Sequence, residues 1–153
     1  MISLKDEKFI NTAFEIAKAT DPVRGSRIGA VIVRKNRVIG VGFNHIKSHP
    51  MQKQYARNSE AIFFHAEIHA IKNALSNVSV DDLEKSTLYI ARAKKGDAFS
   101  EGHWRFGASK PCVGCASCIN EFGIRNVMYT DEGNEIVHYD NSTKELVGYT
   151  NDK

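Results

Sequence analysis

Two short segments constrain this chain more than any other feature of its sequence: H-A-E at residues 65–67 and P-C-V-G-C at residues 111–115. They contain a histidine and two cysteines, and imidazole nitrogen and thiolate sulfur are ligands that zinc prefers. A catalytic zinc ion takes three protein ligands and leaves the fourth tetrahedral position to water, whose pKa falls from about 15.7 to about 7. The pattern therefore predicts that His65, Cys112 and Cys115 hold a zinc ion that activates water.

Glu67 is predicted to serve this site without binding the metal. As a fourth ligand it would close the coordination sphere and leave no position for water. Beside the metal, its carboxylate can take a proton from the water and deliver it to a substrate. We therefore expect Glu67 to be the catalytic proton shuttle.

The spacing of these residues indicates how they meet. Successive residues of an α-helix are about 100° apart, so His65 and Glu67 could share one site only near a helix terminus. Pro111 suits the start of a second helix, because the N–H that proline lacks would be unpaired there in any case. The sequence predicts two helix N-termini that converge on one metal, where their dipoles favour thiolate and hydroxide.

H-A-E with P-C-x-x-C resembles the signature of the cytidine and deoxycytidylate deaminase superfamily. The segments 27–33, 42–44 (G-F-N) and 87–90 (T-L-Y-I) are also similar to that family, so that the resemblance covers roughly residues 4–139. The resemblance implies an α/β fold, a three-layer α/β/α sandwich with a central five-stranded mixed sheet. It also implies a homo-oligomer and the zinc-dependent hydrolytic deamination of a cytosine nucleotide or nucleoside. Within the family, the sequence generally resembles phage-type deaminases, which favours conversion of dCMP to dUMP with release of ammonia.

The resemblance further assigns roles to individual residues. Glu67 would carry protons from the water to ring N3 and then to the departing amine. The side chain of Asn44 would hydrogen-bond the sugar, and the backbone N–H of Ala66 would hydrogen-bond the base. The insertion at 94–110 departs from the family pattern, and so does the short connection after Thr130, where related deaminases have a helix.

Other interpretations stay open at this point. His69 follows His65 by about one helical turn, so His65, His69, Cys112 and Cys115 could form a closed structural zinc site in a non-catalytic binding module. The cysteines could also be reduced core residues that share no metal, and Cys118 is expected to be a buried small residue. A deaminase that acts on cytosine or adenine in nucleic acid is a further alternative.

Composition bounds the class of protein. The chain has 153 residues, of which 42% are hydrophobic and 25% charged, which is typical of one globular domain spanning 1–153. A net charge of +3 is too small to indicate nucleic-acid binding, so a small-molecule partner is favoured. Three cysteines make no disulfide framework and predict a reducing, cytoplasmic location. The sequence contains no apolar run of the roughly 20 residues that a membrane span needs.

Hydrophobic periodicity predicts the element order αββαβαββ. The first helix begins near the capping pair Ser3 and Asp6 and ends before Asp21-Pro22. The other elements are predicted as a hairpin at 27–33 and 38–43, helices at 62–75 and 112–122, and strands at 87–93, 127–130 and 136–139. The insertion 94–110 and a C-terminal tail at 140–153 lie outside these elements. The last two strands should pair antiparallel, because a parallel crossover needs a dozen or more residues.

Several further side chains are candidates for substrate contacts. His45, His49 and the basic residues Lys47, Lys53 and Arg57 follow Asn44 in a polar stretch predicted to be a loop. They could meet a sugar or a phosphate, or simply face solvent. The segment 103–106 brings aromatic residues into the insertion, where they could cover a pocket, pack in the core or form an oligomer contact.

Overall fold

The computed structural model describes residues 2–23, 25–45, 50–51, 65–95, 103–140 and 145–151, the last stretch by its backbone alone. The helices are α1 (Leu4–Ala19), α2 (Ala66–Leu75), α3 (Val80–Glu84) and α4 (Val113–Glu121). The strands are β1 (Arg27–Arg34), β2 (Arg37–Phe43), β3 (Thr87–Lys95), β4 (Trp104–Gly107), β5 (Asn126–Asp131), β6 (Glu135–Asp140) and β7 (Glu145–Asn151).

These strands form one mixed sheet with the order β2-β1-β3-β5-β6-β7, and β4 pairs with the outer part of β3. Strands β3 and β5 are parallel, whereas the other described pairs are antiparallel. The antiparallel pairing of β5 and β6 confirms the prediction made from their short connection. The predicted α/β architecture is confirmed as well.

Helices cover both faces of the sheet. Helix α1 begins with the predicted capping box of Ser3 and Asp6, and it buries Phe9, Ile10 and Ala13 against one face. Helices α2 and α4 lie on the other face, where their buried side chains share a core cluster with Ala30, Ile32, Leu88 and Ile90 of the sheet. The result is the expected three-layer sandwich.

The sheet is larger than the five predicted strands, all of which are present. Strand β3 runs on to Lys95, and β4 returns beside it within the 94–110 insertion. Strand β7 lies within the 140–153 tail and pairs with β6. Two other differences are local: the short helix α3, capped by Ser79 and Asp82, was not predicted, and α2 is described from Ala66 because residues 61–64 lie outside the described chain.

Helix α2 lies unusually close to β2, because two glycines of the strand face it. A Cβ added at Gly40 would lie 2.6 Å from the carbonyl oxygen of Ala70. One added at Gly42 would overlap backbone atoms of Ala66 and Ala70. The first turn of α2, which follows His65, therefore rests directly on the end of β2.

Within the described residues, none of the helices has the length and apolar character that crossing a membrane requires.

Candidate active site

His65 and Glu67 meet at the N-terminus of α2, as their spacing predicts. His65 is the residue before the helix and has an extended backbone, with φ −80° and ψ 149°. Because the backbone of His65 is not helical, its side chain does not follow the spacing of about 100° per residue that holds within a helix. It lies on the same side as Glu67. Glu67 belongs to the first turn and is only 5% exposed.

The two cysteines stand at the N-terminus of α4 in the same way. Cys112 caps the helix, and its sulfur accepts a hydrogen bond from the backbone N–H of Cys115 at 3.5 Å. Cys112 is exposed and Cys115 is fully buried. The predicted convergence of two helix N-termini is thus what the structure shows.

Three potential ligand atoms gather between the two helices. His65 Nδ1 lies 3.2 Å from Cys115 Sγ and 3.7 Å from Cys112 Sγ, and all three atoms lie within 4.8 Å of one another. Tetrahedral zinc with Zn–S of about 2.3 Å and Zn–N of about 2.0 Å would separate such atoms by about 3.5–3.8 Å. His65, Cys112 and Cys115 therefore form a potential metal site that fits zinc with little adjustment. Glu67 is not a member of this group.

Comparisons with known proteins agree with this geometry. Residues 3–131 match the family described as the cytidine and deoxycytidylate deaminase zinc-binding region. The chain belongs to this family. It is therefore a zinc-dependent hydrolytic deaminase.

Individual relatives show how widely the similarity extends. The deoxycytidylate deaminase of Mycobacterium phage D29 is 28% identical over 142 residues, which cover 83% of this chain and 94% of the relative. The dCMP deaminase of cyanophage S-TIM5, solved with dCMP and dUMP, is 18% identical with a TM-score of 0.57, covering 86% of this chain and 84% of that one. The guanine deaminase of Bacillus subtilis is 22% identical with a TM-score of 0.52, covering 83% and 64%. At these identities the solved structures establish the fold of the deaminase.

The ionisable groups of the deaminase site are strongly perturbed. Hydrogen bonds from Cys115 and His65 prevail over burial and lower the pKa of Cys112 to about 4. The hydrogen bond to Cys112, together with burial, raises the pKa of Cys115. Burial also raises the pKa of Glu67, an effect that the nearby His65 opposes. A carboxyl that is easily protonated, next to potential metal ligands, is suited to proton transfer.

His69 does not join the metal site. Its Nδ1 lies 3.1 Å from the backbone nitrogen of Phe43 and 3.0 Å from His45 Nε2, beside the end of β2. The ring of His45 in turn lies over the ring of Phe43, with centroids 4.2 Å apart. The potential metal group therefore contains one histidine, and the closed four-ligand site is not what the structure shows. Cys118 lies on α4 and is fully buried in the core, as predicted.

Asn44 holds the strand ends together. Its side chain is 8% exposed; Oδ1 accepts from the backbone N–H of Ile28 at 3.0 Å, and Nδ2 donates to the carbonyl oxygen of Ser26 at 2.9 Å. Ala66 is the first residue of α2 and is fully buried.

The aromatic residues of the insertion lie on the α1 face of the sheet, away from the metal site. Phe106 packs edge-on against Phe14 of α1, with ring centroids 5.0 Å apart. Trp104 lies between the cations of Arg27 and Lys95, at 5.4 and 5.6 Å. Their observed contacts are thus those of packing. His49, Lys47, Lys53 and Arg57 lie outside the described residues.

A buried polar network positions the chain that leads to Cys112. Ser109 Oγ lies 3.2 Å from the carbonyl oxygen of Ile90 and accepts from the backbone N–H of Thr130 at 2.9 Å. Thr130 Oγ1 donates to the carbonyl oxygen of Gly107 at 2.8 Å and accepts from the N–H of Arg92 at 3.0 Å. The contacts among Ser109, Thr130 and Arg92 could not be predicted from the sequence, because only the pairing of distant strands brings these residues together. The one feature of the sequence that could have pointed to Ser109 is its position three residues before Cys112.

Proposed function

We propose that this deaminase converts dCMP to dUMP and releases ammonia. The observation that carries the reaction type is the group of His65, Cys112 and Cys115 ligand atoms with the buried carboxylate of Glu67 beside it. The D29 deoxycytidylate deaminase, which aligns over 94% of its own length, supports the choice of substrate. The three residues would be the zinc ligands, and zinc, when bound, supplies a water whose proton is lost near neutral pH.

Glu67 is the proposed proton carrier. Its carboxylate takes a proton from the water that attacks C4 and places it on N3 of the cytosine ring. It then takes the proton of the hydroxyl now bound to C4 and passes it to the amine, which leaves C4 as ammonia. Because burial raises its pKa, Glu67 holds a proton more readily than an exposed carboxyl does. A mutation of Glu67 should therefore abolish turnover while leaving the metal in place.

The substrate would be held by groups around the start of α2. The N–H of Ala66 lies in the first helical turn, where backbone donors have no partner within the helix, and it would donate to the base. The amide of Asn44 has one N–H and one acceptor position beyond its two backbone hydrogen bonds, and these would bind the sugar. The proposed partner is thus a free mononucleotide. The homo-oligomer and the cytoplasmic location stay predictions.

The test is a substrate panel with a matched variant. Zinc-loaded protein, Glu67→Ala and the control Glu121→Ala, which alters an exposed glutamate of α4, would be incubated with cytosine, cytidine, deoxycytidine, CMP, dCMP, dCTP and a cytosine-containing oligonucleotide. Mass spectrometry would report deamination. We expect dCMP to be converted by wild type and Glu121→Ala and not by Glu67→Ala. Preferred conversion of the oligonucleotide, or full activity of Glu67→Ala, would contradict the proposal.

A further inference from the structure

The outer edge of β2 lies against α2. β2 is the first strand of the sheet and pairs with β1 alone among the described strands. The backbone N–H of Asn44, just after β2, donates to the carbonyl oxygen of Ile28 on β1 at 3.2 Å. Backbone groups of successive strand residues point to opposite sides, so those of Phe43 and Val41 point away from β1. At a sheet edge such groups need partners from another element.

Two polar side chains of α2 supply these partners. The Nδ1 atom of His69 accepts from the backbone N–H of Phe43 at 3.1 Å. One turn later, Asn73 Nδ2 donates to the carbonyl oxygen of Val41 at 2.7 Å. Four residues of a helix rise about 6 Å and two residues of a strand span about 6.6 Å, so the two contacts fit the same edge. We call His69 and Asn73 the edge clasp.

His69 contacts the residues on both sides of Asn44. Besides the N–H of Phe43, its Nδ1 has His45 Nε2 at 3.0 Å, and the ring of His45 lies over the ring of Phe43. The carbonyl oxygen of Phe43 lies 3.2 Å from the same nitrogen. A backbone N–H can only donate, so this nitrogen of His69 carries no proton and acts as an acceptor. The strand end that leads to Asn44 is thus held to the second turn of α2.

The edge clasp also fixes the position of α2 along β2. Glycines of the strand let the two backbones approach, but apolar contact has no preferred direction along the strand. The hydrogen bonds of His69 and Asn73 do have one, because sliding the helix would break both. Glu67 lies in the first turn of α2. The edge clasp therefore fixes the distance between Glu67 and Asn44.

We propose that His69 and Asn73 are positioning residues of the deamination, which hold the sugar-binding residue at a set distance from the proton carrier. This inference rests on the proposed function, in which the base lies at Glu67 and the sugar at Asn44. Neither residue of the edge clasp needs to touch the substrate. Reacting groups that are misplaced by about 1 Å can lose about 100-fold in rate. Loss of the edge clasp should therefore slow the reaction without removing the zinc.

The test compares three variants of His69 that differ in where they place an acceptor. In His69→Asn, Oδ1 is bonded to Cγ just as Nδ1 is, so it can accept from the N–H of Phe43. His69→Gln carries its acceptor one bond farther from the backbone, and His69→Leu has none. Asn73→Ala removes the second contact. The control is Asn77→Ala, one turn later, which loses a hydrogen bond to the helix itself, from Nδ2 to the carbonyl oxygen of Asn73 at 3.4 Å.

Amide hydrogen exchange of Phe43, zinc content and kcat/KM for dCMP are measured on each zinc-loaded protein. For His69→Gln and His69→Leu we expect the exchange to be at least tenfold faster and kcat/KM to be at least tenfold lower, with the zinc retained. His69→Asn should stay within threefold of the wild type in both. Asn73→Ala should lower kcat/KM at least threefold, and Asn77→Ala should change none of the three quantities.

Wild-type kcat/KM in His69→Gln, or equal losses in His69→Asn and His69→Leu, would overturn the assignment of the edge clasp. If the wild type deaminated no cytosine compound, the proposed function would fail. The exchange of Phe43 would then still decide whether His69 holds the end of β2, and unchanged exchange in His69→Gln would overturn it. Circular dichroism shows which variants fold. Should His69→Leu not fold, the comparison of His69→Gln with His69→Asn decides.

Discussion

Replacing Gly42 by alanine tests how the sheet positions the metal site. The added Cβ would lie 2.9 Å from Ala70 Cα and closer still to backbone atoms of Ala66 and Ala70. Carbon atoms in ordinary contact are about 3.5–4.0 Å apart, so α2 must withdraw by about 1 Å. Backbone cannot rotate aside as a side chain can, and overpacking of this kind costs about 1–3 kcal/mol.

The same displacement should impair catalysis, because His65 and Glu67 stand at the first turn of α2. A misplacement of about 1 Å at a reacting group can lower the rate about 100-fold. We expect Gly42→Ala to lower the free energy of unfolding by about 1–3 kcal/mol in urea titrations and to reduce kcat by one to two orders of magnitude. The control is Val41→Ala, on the same strand and the opposite face, where the side chain is 37% exposed.

The control variant should keep wild-type kcat and lose less than about 1 kcal/mol of stability. If Gly42→Ala were as stable and as active as the wild type, the close contact between β2 and α2 would not be what positions His65 and Glu67. A loss of stability with unchanged kcat would contradict only the expectation that the displacement of α2 impairs catalysis.

The Ser109 hydroxyl, the hydrogen bond from Tyr89 to Asp6 and the bound zinc should each stabilise the folded protein. Ser109→Ala should cost about 1–3 kcal/mol in urea titrations, because buried groups of Ile90 and Thr130 lose their partner; a change below about 0.5 kcal/mol would contradict this. Tyr89→Phe should cost about 1 kcal/mol at pH 7. Although burial opposes it, the hydrogen bond from Tyr89 helps to lower the pKa of Asp6, so this stabilisation is present above pH 3.8 and is lost as the pH falls through the lowered value. An equal cost at neutral and acid pH would count against it. Removing zinc with a chelator should lower the melting temperature, because a metal ion that binds only the folded protein stabilises it. An unchanged melting curve would argue against zinc binding.

The metal site could be predicted from the sequence because its geometry is encoded locally. The separation of His65 and Glu67 by two residues is compatible with one site only at a helix terminus, and Pro111 marks a second helix start beside Cys112. The structure places both pairs as this reasoning requires. The antiparallel pairing of β5 and β6 followed from the length of their connection in the same way.

What the sequence could not provide depends on contacts between distant segments. Strand β4 is short, and its pairing with β3 depends on where the chain returns after residues 96–102. His69 has the spacing of a metal ligand, but its position is set by Phe43 and His45 on another element. Ser109 and Thr130 are far apart in the sequence, and only the folded sheet brings their hydroxyl groups to 3.0 Å from each other.

X-ray absorption at the zinc edge of the loaded protein would show which side chains bind the metal. We expect two sulfur ligands at about 2.3 Å, one imidazole at about 2.0 Å and one further oxygen from water. The spectrum of His69→Ala should be the same as that of the wild type. A second imidazole in the wild-type spectrum that disappears in His69→Ala would show a closed structural site and would contradict the catalytic role assigned to this metal.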